Sequence, residues 1–123
     1  MSYRGTRALM ARDFISAITS RSVRDAHSHG HRPVTVEAFG REHYLVGVKQ
    51  DTDRAIVLLI QQAPAPFMSH MALEHAIAGI DLSATPTDRF RSVTVTDGSS
   101  DACVTFISYG TYAGATIEAR ALA

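Results

Sequence analysis

The chain can be laid over itself with one ungapped shift, and that regularity limits its architecture more than any single motif does. Arg32-Pro-Val-Thr-Val matches Arg91-Ser-Val-Thr-Val at a displacement of 59 positions (32 to 91). The same displacement sets Phe14 on Leu73, Ala17 on Ala76 and Ile18 on Ile77. It also sets Leu45 on Val104, Val48 on Ile107 and Leu58 on Ile117. A Val-Thr-Val match alone is cheap, because such residues are common in strands. One shift that superposes a helix stripe, strands and turns together points to an internal duplication. In 123 residues it implies a single domain, with pseudo-repeats at about 1–62 and 63–123 sharing one core.

Hydrophobic spacing supplies the elements. Met10, Phe14, Ala17 and Ile18 recur at helical intervals and predict a helix over residues 11–21. Residues 23–33, with Asp, Ser, Gly, Pro and three histidines, read as loop. Strands are expected at 34–39, at 44–49 after a Gly40-Arg41 turn, and at 55–60, where an apolar run implies a strand covered on both faces. A second helix is predicted over 69–79, with Ser69 as N-cap and Leu73, Ala76, Ile77 and Ile80 as its apolar stripe. His70, Glu74 and Asp81 fall off that stripe, so His70 and His75 are expected in solvent. Strands at 91–96, 102–109 and 112–121 complete the second half, and a short strand at 6–10 and at 65–68 precedes each helix. The expected fold class is α+β: internally duplicated (β)αβββ units forming antiparallel sheets with two helices packed together. The regular, alanine-rich C-terminal strand is a candidate edge for pairing between subunits, against an ordinary place within one subunit.

Composition enters through charge and through what it excludes. Twelve basic and twelve acidic residues cancel, so the chain as a whole has no field that would gather nucleic acid. The distribution is uneven. Residues 1–32 hold six arginines against Asp13 and Asp25, a net of +4, which leaves −4 on the remainder. A basic third on an acidic body suits a face that meets an anion. The longest aliphatic run, residues 55–60, is far short of the roughly 20 residues of a membrane helix. The start, Met-Ser-Tyr-Arg-Gly-Thr-Arg, shows no apolar stretch of a secretory signal. The lone Cys103 fits a reducing compartment. The expectation is a cytoplasmic protein with no membrane partner.

Catalytic and metal chemistry finds little support. His27, His29 and His31 alternate in a loop and could offer imidazole nitrogens to a metal, but Asp25 is the only carboxylate near them. They define one alternative, a small metal-dependent enzyme. Cys103 sits among Ala102, Val104 and Phe106 in a predicted strand, where thiols mostly pack. Asp51 and Asp53 are explained by a turn. The eight glycines are scattered and form no phosphate loop. The tyrosines form no run for stacking bases. No catalytic residue, metal or cofactor is assigned.

A strand, helix and three strands, written twice in this length, resembles the repeating domain of DNA sliding clamps, the polymerase processivity factors. Residues 34–56, from Val34-Thr-Val through the Asp51-Thr-Asp corner, look like the long hairpin of that domain. Ala11-Arg-Asp-Phe and Ser69-His-Met-Ala-Leu-Glu-His resemble the starts of its helices, and residues 90–121 resemble its second half. The resemblance implies a clamp-like fold and a homo-oligomer, a ring of six copies around duplex DNA. It further implies sequence-independent phosphate contact and service to a DNA polymerase or another replication protein. On that basis the DNA-contacting residues are Arg7, Arg12, Arg21, Arg24 and Arg32, with Arg12 and Arg21 on the helix itself. The second predicted helix, with His70, Glu74 and His75, suits phosphate poorly. The remaining alternative is a non-enzymatic protein-interaction or assembly module that uses the fold without DNA.

Overall fold

A computed structural model describes residues 7–19, 32–51, 55–80, 91–110 and 114–121. In chain order these form α1 (Ala11–Thr19), β1 (Thr35–Ala38), β2 (Arg41–Gln50), β3 (Ile56–Gln62), α2 (His70–Ala78), β4 (Thr94–Thr96), β5 (Asp101–Gly110) and β6 (Gly114–Arg120). Both expected helices and the six longer strands are present, with bounds moved by up to three residues. The short strands expected at 6–10 and 65–68 are not: among the described residues Met10 and Ser69 make only isolated bridges. Ser69 caps α2, its hydroxyl accepting the Ala72 amide at 3.1 Å, as its position before the apolar stripe implies.

The strands close one barrel in the order β1-β2-β3-β4-β5-β6. Hairpins join β1 to β2, β2 to β3, β4 to β5 and β5 to β6 in antiparallel pairs. Two parallel seams complete the circle. Thr35, Val36 and Glu37 lie beside Thr116, Ile117 and Glu118, and Val57, Leu58 and Leu59 lie beside Thr94, Val95 and Thr96. The expected α+β arrangement of antiparallel sheets with two packed helices, like a clamp domain, is therefore corrected to a closed six-stranded barrel carrying two short helices. The physical reason lies in the connection through α2. A crossover containing a helix returns β4 parallel to β3, and local periodicity does not reveal which strand a crossover will meet. β6 pairs with β5 on one side and β1 on the other, so it is no edge for pairing between subunits.

The 59-residue shift reappears in the backbone register. Thr35↔Tyr44 recurs as Thr94↔Cys103, and Lys49↔Val57 as Ser108↔Thr116. The irregularity between Leu45 and Gly47 recurs between Val104 and Phe106. At each bulge the extra residue shifts the inward phase of the strand by one, so Leu45 is buried and Val48, three residues on, packs against the same core. A Cβ at Gly47 would stand 3.3 Å from Leu59 Cδ1, a tight contact from which the leucine end would have to move by a few tenths of an ångström. The lead-in to each helix obeys the same shift: Met10 bridges Ser92, and Ser69 bridges Pro33.

One core fills the barrel and extends under the helices. Val36, Leu45, Leu58, Val95, Val104 and Ile117 are fully buried, together with Phe14 and Ile18 of α1 and Leu73 and Ile77 of α2. Each such side chain contributes roughly 1.5–3 kcal/mol by leaving water. In β3, Ile56, Val57, Leu58 and Ile60 are all buried, which matches a strand covered on both faces. Two positions differ from expectation. Met10 starts the α1 stripe but is 39% exposed, because it precedes the helix and is held by its bridge to Ser92. His70 is buried, at 4% exposure, because its amide is drawn to the Arg32 carbonyl (3.2 Å) as the chain enters α2. His75, on the next turn, is exposed as expected.

Candidate functional site

The chemistry that stands apart from the scaffold gathers at one end of the barrel. There β1 turns into β2 and β4 into β5, while β3 and β6 terminate. The β1–β2 connection is a two-residue hairpin loop, Phe39-Gly40, with φ of +56° and +74°. Positive φ at both central residues is the type I′ geometry that matches strand twist. Glycine accepts it freely, but an L-residue there costs about 1–2 kcal/mol. Asparagine followed by glycine is the usual solution, and this chain places phenylalanine instead. The corresponding β4–β5 turn solves the problem conventionally. Gly98 takes φ +97°, Thr96 Oγ1 accepts the Gly98 amide at 3.1 Å, and Asp97 Oδ1 accepts the Ser99 and Ser100 amides at 2.8 Å each.

Phe39 remains 38% exposed and stands between two concavities. One, of about 450 Å³, is walled by residues 37–42 and 118–121. The other, of about 410 Å³, lies among Phe39, Arg41, His43, Gln61, Gln62 and Asp97. His43 is buried, meets the Phe39 ring edge-on with centroids 6.0 Å apart, and has Nδ1 3.1 Å from the Arg41 carbonyl oxygen. As the only proton donor of that pair, Nδ1 carries the hydrogen. Arg41 Nη1 donates to Gln62 Oε1 at 3.1 Å. Bonds from the Ser99 and Ser100 amides hold the Asp97 carboxyl below its ordinary pKa, and the charge of His43 lowers it further.

Three carboxylates cross this end in a row. Glu37 is in register with Glu42 on β2 and with Glu118 on β6, and all three line the larger concavity with Arg41 and Arg120. Like charges directly opposite across strands repel. Under the 59-residue shift the corresponding row is Thr96, Asp101 and Leu59, so the acidic row belongs to one half only.

The arginines expected to contact DNA are placed in part. Arg7, Arg12 and Arg32 are exposed. Arg12 Nε lies 3.5 Å from Asp13 Oδ1 in a half-exposed pair, an arrangement of small energetic weight. Arg21 and Arg24 lie outside the described residues, as do His27, His29 and His31. Among the described residues no group of three or more His, Cys, Asp or Glu is disposed to hold a metal ion. No helix among them is long and apolar enough to cross a membrane. Cys103 is half-buried on β5, between Thr94 and Arg120. Asp51 pairs with Lys49 at 3.5 Å, and Asp53 lies outside the described residues.

Sequence reasoning passed over Phe39, Glu37, Glu42 and His43, although a signal was present. Once residues 39 and 40 form the turn, Glu37 and Glu42 must face each other, and Phe-Gly stands where Asn-Gly is expected. Comparison with known proteins adds no analogue: no family model, no curated protein and no solved structure matches the chain.

Proposed function

We propose that this chain is a non-enzymatic interaction module that docks a segment of another protein against the Phe39 end of its barrel. Phe39 carries the proposal. A bulky aromatic side chain is kept in a backbone conformation that disfavours it, partly exposed at the mouth of two concavities. Strain retained at one exposed position is the mark of a functional constraint, and a rigid aromatic anchor is what binding hot spots are built around. The polar groups nearby are engaged in the scaffold. His43 is tied to the Arg41 carbonyl, Arg41 to Gln62, and Asp97 to its own turn. That engagement favours recognition over covalent chemistry. The facing glutamates select the partner's charge, since a lysine or arginine set beside them relieves their repulsion. The occupant is therefore a peptide segment that packs an apolar side chain on Phe39 and presents a basic residue to Glu37 and Glu42.

Selection of a random peptide library on the immobilised chain tests this. Enriched sequences should pair an apolar with a basic residue and lose affinity at least tenfold against Phe39→Asn. That variant suits the turn and should stay folded. Glu37→Gln should weaken binding less and remove part of its salt dependence. A motif indifferent to both substitutions, or none at all, overturns the proposal. Duplex DNA provides the opposing arm. The duplex-encircling role rests on the arginines of the first third, and β6, paired on both sides, offers no strand edge for closing a ring of six. Salt-dependent retention of duplex DNA that Arg12→Glu abolishes and Phe39→Asn leaves intact would move the function to the arginine-bearing face.

A further inference from the structure

Backbone pairing in this barrel is of two kinds. Hairpin pairs stay within a half, β1-β2-β3 or β4-β5-β6. The parallel seams β1–β6 and β3–β4 join one half to the other. So do the helix lead-ins, and they do it reciprocally. The Leu9 amide donates to the Val104 carbonyl at 2.7 Å and the Leu9 carbonyl accepts from Val93 at 3.3 Å. Fifty-nine residues on, Met68 donates to Leu45 at 2.6 Å and accepts from Val34 at 3.3 Å. Each half thus threads its lead-in between strands of the other and leaves two strand edges that only the other half covers. Unpaired edges are costly and adhesive. The complement each half needs is also present on every other copy of the chain.

The halves are joined by Ala63-Pro64-Ala65-Pro66, between β3 and the lead-in to α2. Its residues are exposed or half-buried, and the Ala63 amide donates to the Glu42 carbonyl at 3.2 Å. Residues 63–65 form a bend in the single chain, while prolines at alternate positions are equally at home in an extended segment, which suits a connection that can span two barrels as well as return to one.

We propose that the chain exchanges halves with a second copy of itself. The β1–β3 half of one copy closes a barrel with the β4–β6 half of the other, and the remaining halves do the same, with residues 63–66 extended as the hinge. All the seam and lead-in bonds of the single chain are recovered in the pair. The balance is set by association entropy and the hinge, and the dimer gains on the monomer as concentration rises.

Two full-length variants test it. Leu58→Asp and Ile117→Asp each put a carboxylate at a fully buried position, one in each half, and each alone should fail to fold. In an exchanged pair of one variant with the other, both carboxylates fall in one barrel and the second barrel holds neither. Co-refolding the equimolar mixture from urea should give a mixed species of twice the 13.3 kDa chain mass. It should recover up to about half of the wild-type circular dichroism per chain, as one sound barrel in two requires. A mixture that stays the sum of its unfolded components overturns the proposal. The milder pair Leu58→Ala and Ile117→Ala covers aggregation of the charged variants. Their co-refolded mixture should show a transition above that of either alone, and a single transition at the variants' own temperature counts against exchange.

Discussion

Thr35 and Thr116 are 81 positions apart, and their hydroxyls meet at 3.0 Å only because β1 and β6 close the barrel. Thr35 Oγ1 also lies 3.4 Å from the Ala115 carbonyl, so Thr35 donates there and accepts from Thr116. Replacing Thr35 by valine removes both bonds, whereas replacing Thr116 removes one. A half-buried neutral hydrogen bond contributes about 0.5–1.5 kcal/mol net. Thr35→Val should then cost about 1 kcal/mol and Thr116→Val about half as much. Once Thr35 is gone the Thr116 hydroxyl has lost its partner, so the double variant should be close to Thr35→Val alone, a coupling of about 0.5 kcal/mol. The other parallel seam supplies the baseline. There Thr94 faces Val57, which has no hydroxyl, and Thr94→Val reports what the added methyl does by itself. Urea unfolding with m of about 1.5 kcal/mol per M resolves the coupling as a midpoint difference of about 0.3 M. Strict additivity of Thr35→Val and Thr116→Val would refute the closure, because residues on separate sheets do not share a bond.

The other predictions concern the core and the turn end. Leu58→Ala and Ile117→Ala occupy positions equated by the 59-residue shift and equally buried, so each should cost about 2–5 kcal/mol and the two should agree within about 1 kcal/mol; a large disparity in urea midpoints would show that the halves do not share the core evenly. At Asp97 the folded carboxyl titrates below its ordinary value of 3.8 because the Ser99 and Ser100 amides bind the charged form. Its contribution is therefore present above that value and fades as pH falls through the lower folded one. The advantage of the wild type over Asp97→Asn should shrink below about pH 4, and a melting-temperature difference that stays level from pH 6 to about pH 2.5 would contradict the assignment.

Much of the scaffold was legible because it obeys short-range rules. Phe14 and Ile18, Leu73 and Ile77 sit at helical intervals, and all four are buried. Alternation over residues 112–121 sets Ala115, Ile117 and Ala119 inward, where the structure has them, but sets Ala121 with them, and Ala121 is exposed beyond the end of β6. What could not be read was long-range. Nothing local to Val57 or Thr94 says that their strands run side by side, and the parallel seams turn a pattern that fits paired antiparallel sheets into a closed barrel. The candidate site was obscured by a one-residue displacement. With the turn set at Gly40-Arg41, Phe39 belongs to a strand and the glutamates do not face each other. With the turn at Phe39-Gly40, the strained aromatic and the acidic row appear together.

The register repeats faithfully and the turn-end chemistry does not, and that difference bears on where function lies. If the 59-residue regularity served only to build a barrel, matched positions would carry interchangeable residues, as Leu58 and Ile117 or Val36 and Val95 do in the core. At the turn end Phe39 matches Gly98, His43 matches Ala102 and Glu37 matches Thr96. In each pair the first half holds the larger or more polar group, and at Phe39 it holds it against backbone preference. A scaffold relaxes toward the cheaper residue wherever nothing opposes that, and the second half displays the cheaper turn at the same register. The cost retained by the first half alone is what the docking proposal accounts for, as a contact made at Phe39 from outside the barrel and separate from the pseudo-symmetric framework.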